Sequence, residues 1–175
     1  MSKKVAVLAV NPVNGFGLFQ YLETFFENNI SFKTFAVAEN KDIRTNSGLK
    51  IQTDTVIADL KGKENEFDAV VFSCGDAMPQ FSENVDKPYN QDMLAVLNAF
   101  NEQNKILIGH CAAALVFDSL GIGTGKRVAL HPLIKNFVKN VIATDEKSIV
   151  DGNIYTAQTE CTLHYLMPEI IEALK

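Results

Sequence analysis

Residues 105–121, Lys-Ile-Leu-Ile-Gly-His-Cys-Ala-Ala-Ala-Leu-Val-Phe-Asp-Ser-Leu-Gly, constrain the fold more than any other stretch. The run after Lys105 is apolar and uncharged, the mark of a strand buried on both faces. The chain then turns Ala-rich, with Leu115, Val116 and Leu120 at helical spacing, and stops at Gly121. Cys111 falls at the changeover, so its sulfur is expected at a helix N-terminus on the carboxyl edge of a parallel sheet, where open α/β sheets keep their sites. Unpaired N–H groups and the positive helix end favour thiolate there. They predict a Cys111 pKa drawn a unit or more below its free value of about 8.5.

With 175 residues, 47% of them hydrophobic and 21% charged, the chain fits one soluble globular domain spanning 1–175. A net charge of −5 with no basic block argues against nucleic acid and anionic membranes as partners. The first apolar run, residues 5–10, is too short for a signal-peptide core or a bilayer span. Cys74, Cys111 and Cys161 show neither a Cys-x-x-Cys motif nor a Cys/His ligand spacing. No disulfide framework, metal or cofactor is therefore expected, and a reducing cytoplasm is the expected compartment.

Buried strands are expected at 4–10 and 68–73 and an alternating second strand at 31–38, with a small hairpin turning at Asn46-Ser47-Gly48. Leu18, Leu22, Phe25 and Phe26 predict one face of a first helix, and Met93, Val96, Leu97 and Phe100 a second over 91–101. Residues 76–89, with two prolines and no period, read as loop. A short strand over 127–130, a helix carrying Ile134, Phe137 and Val138, and a hairpin turning at Asp151-Gly152 follow. In the last helical stripe, Leu163 to Leu174, Pro168 predicts a kink or a fresh start. Alternating buried strands and helices give a doubly wound α/β domain.

Cys111 and His131 form the leading chemical pair. A thiol beside an imidazole is the minimum for nucleophilic catalysis, because the ring accepts the thiol proton or stabilises the thiolate. Pro132 holds His131 toward extended backbone. The same two residues also fit a small buried cysteine and an unrelated loop histidine.

Ile106 to Ala114, the Gly121–Gly125 connection, and Arg-Val-Ala-Leu-His-Pro-Leu-Ile-Lys at 127–135 resemble the core of the ThiJ/PfpI superfamily, and the resemblance runs from Lys4 to Leu174. It implies a flavodoxin-like three-layer sandwich with a mostly parallel sheet and a nucleophile elbow, and a homodimer. By the same resemblance, Cys111 is the elbow nucleophile and His131 its partner, with the N–H groups of Gly75 and Ala112 as an oxyanion hole. Two departures stand out. Many members carry a glutamate at the start of the first helix, where this chain has Gly17. The protease branch has histidine directly after the cysteine, where this chain has Ala112, with His110 before it. Alternation along the strand puts His110 on the other side from Cys111.

Glu160, after the terminal hairpin, is a possible replacement carboxylate, or simply a surface residue opening the last helix. Asn14-Gly-Phe-Gly17 is half of a dinucleotide fingerprint, with Gln20 in place of its third glycine. Its glycines are expected to let the backbone pass close to the sulfur. His164 reads as a surface or capping residue, and Cys74 and Cys161 as small packing residues. Cys74 borders the expected pocket and could pair with Cys111 on oxidation. Phe16, Phe19, Phe25, Phe26, Phe72 and Phe100 sit at core spacings. The expected activity is cysteine-dependent hydrolysis of a peptide or amide, or related thiol chemistry on a small carbonyl substrate. The alternative is a non-hydrolytic redox-sensing, binding or chaperone-like module built on an oxidisable Cys111.

Overall fold

The computed structural model describes residues 3–175. Its strands run β1 (Lys4–Val10), β2 (Ser31–Val37), β3 (Asp42–Arg44), β4 (Lys50–Gln52), β5 (Thr55–Val56) and β6 (Ala69–Ser73). They continue with β7 (Ile106–His110), β8 (Arg127–Val128), β9 (Ile142–Ala143), β10 (Ser148–Asp151) and β11 (Ile154–Ala157). The helices are α1 (Gly15–Glu27), α2 (Pro88–Glu102), α3 (Ala113–Ser119) and α4 (Met167–Leu174).

Runs of Val, Ala, Leu, Ile and Phe in β1, β6 and β7 bury both faces of the strands, which only a parallel sheet covered on both sides accommodates. Among the described residues the main sheet has seven strands in the order β10-β11-β7-β6-β1-β2-β5. Every pairing in it is parallel except β10 with β11. The crossover through α1 steps one way from β1, and those through α2 and α3 step the other way. Right-handed connections therefore put α1 on one face and α2 and α3 on the opposite one. The side chains agree: His110 meets Tyr21 of α1, whereas the space over Gly109 is filled by Ala113 and Phe117 of α3. The result is a three-layer α/β sandwich of the flavodoxin type. The strand order reverses between β1 and β6, so the carboxyl ends of β1, β6 and β7 border the place where such sheets bind ligands.

Several elements depart from the sequence periodicity for identifiable reasons. On α1 the buried residues are Gly17, Leu18, Tyr21 and Phe25, and Phe26 is 75% exposed. Tyr21 takes the core position because its hydroxyl finds a buried partner in His110. Phe16 and Phe19 are exposed too, so core spacing did not bury them. Helix α2 starts three residues early, at Pro88, where the missing N–H costs nothing. The loop before it winds into 3₁₀ turns at Met78–Gln80 and Ser82–Asn84. The expected strand over 127–130 is only β8, paired parallel with β9 in a separate sheet. The expected helix after it is a 3₁₀ run, Pro132–Phe137, with Leu133 and Phe137 facing outward. Pro168 begins α4 afresh after a 3₁₀ turn at Leu163–Tyr165. The hairpin of β10 and β11 turns at Gly152 with φ +62°, as Asp-Gly predicts. Among the described residues no helix is long and apolar enough to cross a membrane.

A Cβ at Gly109 would sit 2.3 Å from the Ala113 Cβ. The missing methyl at 109 is what lets α3 seat directly on β7. Gly109→Ala is expected to lower unfolding stability by about 1–3 kcal/mol in urea titration, the range for overpacking a tight contact.

Candidate functional site at the end of β7

Cys111 has φ +56°. The left-handed region costs an ordinary L-residue about 1–2 kcal/mol. Asn29 and Asn104 share it, but asparagine tolerates that region and both follow helix ends. Cys111 is held there from two sides. Its N–H donates to the Ala157 carbonyl at 3.2 Å, and its carbonyl accepts from the His131 N–H at 3.3 Å. The first contact extends the β7–β11 ladder by one residue. The second ties in the distant loop, which is itself anchored: Ala129 N–H donates to the buried Thr156 hydroxyl at 2.9 Å. Asp118, in the last turn of α3, accepts from the N–H groups of Lys139, Asn140 and Val141 at 2.9, 2.6 and 2.8 Å. Sequence reading passed over Asp118. Its signal was an acidic residue at a helix C-terminus, disfavoured by the dipole unless something else holds it.

The half-buried Cys111 thiol is not lowered in pKa. Burial pushes it up, the Glu160 carboxylate pushes it further, and the Ala112 N–H opposes both. The expectation of a depressed thiol fails because α3 is only seven residues long, and one backbone donor does not offset desolvation beside a carboxylate. Glu160 thus bears on the sulfur electrostatically. Its loop is fastened to α1, where Gln20 donates to the Glu160 carbonyl at 2.9 Å.

The main chain of His131 lies against Cys111, and its ring caps its own turn. Nδ1 accepts from the Leu133 N–H at 3.2 Å, so in the neutral ring the proton sits on Nε2. Gly75 is confined by backbone. A Cβ there would meet the Pro12 oxygen at 2.2 Å, the Val13 Cα at 2.5 Å and the Asn14 nitrogen at 2.6 Å. The Asn14 N–H donates to the Cys74 carbonyl at 2.8 Å, which stitches the β1 exit to the β6 exit. Cys74 is buried, and its thiol donates to the His110 carbonyl at 3.1 Å. Cys161 is exposed, not a packing residue; His164 is exposed too, with its ring centroid 4.0 Å from that of Tyr165 and tilted 37° to it.

Gly17 was expected to let the backbone approach the sulfur, but the space beside it belongs to His110. A Cβ at position 17 would lie 2.6 Å from His110 Nε2. His110 does point away from the α3 face, as strand alternation requires, yet its ring fills the gap that a longer residue on α1 would occupy. Tyr21, fully buried and with its pKa raised mainly by that burial, keeps its hydrogen and bonds His110 Nδ1 at 3.1 Å. Burial lowers the His110 pKa to about 4. The unfolded chain protonates this histidine near pH 6.5. Between those values it binds a proton that the native state refuses, so stability falls as pH drops through that window. The size is about 3 kcal/mol at pH 4. His110→Gln is expected to remove this component, read as the difference between the wild-type and variant profiles of unfolding free energy against pH.

Comparison with known proteins matches this frame. The model of the DJ-1/PfpI family covers residues 3–173. The protein named ppBat of Bacteroides thetaiotaomicron is 61% identical over 175 residues, covering all of both chains. Among solved structures, the "putative protease I" from Bacteroides thetaiotaomicron superposes with a TM-score of 0.98 at 60% identity, covering 99% of this chain and 100% of that one. Drosophila melanogaster DJ-1beta shares the fold at a TM-score of 0.85 and 20% identity, over 99% and 91% of the two chains. With its elbow cysteine, parallel sheet and full-length match, the chain belongs to the DJ-1/PfpI family.

Proposed function

We propose that the protein is a thiol-dependent enzyme acting on a carbonyl carbon of a small molecule or peptide, with Cys111 as nucleophile. The observation that carries this reading is the left-handed backbone of Cys111, fixed between the Ala157 carbonyl and the His131 N–H. A nonglycine residue held in a costly conformation at the carboxyl edge of a parallel sheet is a mark of a functional position.

The surroundings favour particular roles. With Nδ1 engaged by the Leu133 N–H, neutral His131 offers an Nε2–H, which suits it to donate to a developing oxyanion or a leaving group. The proton of the Cys111 thiol then needs another acceptor, and Glu160 is the carboxylate whose charge the sulfur feels. In this scheme the thiol passes its proton to Glu160 as sulfur bonds to the carbonyl carbon, and the carbonyl π electrons move to oxygen. In the same scheme the N–H groups of Gly75, just past the end of β6, and Ala112, next to Cys111, receive the oxyanion. Ala112 N–H serves the sulfur at rest, and turning it to the oxyanion favours the adduct over the free thiol.

Two measurements test this. Turnover of methylglyoxal or a reporter peptide should vanish in Cys111→Ala and drop at least 100-fold in Glu160→Gln; full activity in the alanine variant overturns the reading. Iodoacetamide labelling of Cys111 against pH should have a midpoint above that of an ordinary cysteine. Glu160→Gln should move the midpoint down, because removing the negative charge favours thiolate.

A further inference from the structure

Cys74 leaves the end of β6 and Cys111 leaves the end of β7, two neighbouring parallel strands in register through Phe72 and Gly109. The two cysteines follow that last matched pair by the same two residues. Neighbouring strands run about 4.8 Å apart, inside the Cα separation of 4.4–6.8 Å that a disulfide spans. The side chain of Cys74 points along this path. Its sulfur lies 3.1 Å from the carbonyl oxygen of His110, the peptide group joined directly to Cys111. Standard peptide dimensions then keep the Cys74 sulfur within about 6 Å of the Cys111 Cα. Both sulfurs also draw on the same backbone donor, the Ala112 N–H, and the charge of one thiol is felt by the other.

We infer that Cys74 is the resolving thiol for Cys111, so that a hydroperoxide converts the pair into an intramolecular Cys74–Cys111 disulfide. In the first step the Cys111 thiolate attacks one peroxide oxygen. An S–O bond forms, the O–O bond breaks, and the departing oxygen takes a proton to leave as water or an alcohol. Cys111 is then a sulfenic acid. In the second step the Cys74 sulfur attacks the Cys111 sulfur, the S–O bond breaks, and the Cys74 proton leaves with the hydroxyl as a second molecule of product water. Two thiols have lost two electrons in all, and the peroxide has gained them. Because Cys74 is buried and the elbow sulfur only half-buried, peroxide meets Cys111 first. The reaction does not depend on whether Cys111 turns over a carbonyl.

The test is intact mass and peptide mapping of the full chain after hydrogen peroxide at about two to three equivalents per chain, because a sulfinic acid consumes two equivalents and the disulfide only one. Wild type should lose about 2 Da, map to a 74–111 crosslink, and return to the starting mass with dithiothreitol. Cys74→Ser and Cys74→Ala should instead gain about 32 Da at Cys111, the sulfinic acid, and resist dithiothreitol. Cys161→Ser should behave as wild type. Thermal unfolding of both Cys74 variants checks that the elbow is intact, and two replacements guard against a fold defect in one. The inference is overturned if wild type accumulates Cys111 sulfinic acid as fast as the Cys74 variants do. It is overturned equally if the crosslink maps to Cys161 or between chains, or if Cys111 is inert to peroxide. A protein that forms the disulfide and lacks turnover sinks the enzymatic proposal alone.

Discussion

Two backbone hydrogen bonds hold Cys111 in a conformation it would not choose, and the remainder of the site is arranged by what makes those bonds. Ala157 comes from the strand beside β7, and His131 from a loop that returns after α3. Neither contact would persist without the long-range anchors behind it. Thr156 holds Ala129, and Asp118 gathers three consecutive N–H groups from residues 139–141. The cost of the left-handed residue is offset by main-chain pairing spread over three separate segments. That explains how so short a helix as α3 can follow the elbow without supplying most of its stability.

The electrostatics run against the simplest picture of an activated thiol. A helix N-terminus lowers a cysteine pKa only when several aligned N–H groups reach the sulfur and the sulfur remains hydrated. Here the sulfur is half-buried, sees a carboxylate, and receives the Ala112 N–H, so its neutral form is favoured at rest. In the proposed reaction, the thiolate would form only as a proton acceptor and an incoming electrophile act together, not as a standing population.

Much of the frame was legible in the residues. Uncharged β-branched runs announced β1, β6 and β7, Asp151-Gly152 announced the last hairpin, and the break at Cys111 announced the elbow. Where periodicity misled, tertiary demands were the reason. Tyr21 displaced Phe26 from the buried face of α1 because a buried histidine needed a hydroxyl. Residues 132–137 carry apolar side chains at helical spacing, but with Leu133 and Phe137 turned outward the segment tightens into 3₁₀ geometry. The expected meeting of Cys111 with the His131 segment is present as a backbone contact. The tautomer of His131, the anchoring by Asp118, and the true neighbour of Gly17 depend on contacts between residues far apart in the chain, and no local pattern encodes them.

The contact between Gly17 and His110 carries a consequence for how this architecture varies. One small volume under the elbow is shared by a helix position and a strand position, and only one of the two can be large. Lengthening residue 17 by a single carbon collides with the imidazole, and shrinking residue 110 alone opens a void and strands the Tyr21 hydroxyl. Either exchange is tolerable only when the other accompanies it. The two positions are therefore sterically coupled, and a side chain longer than glycine at 17 calls for a smaller or displaced residue at 110.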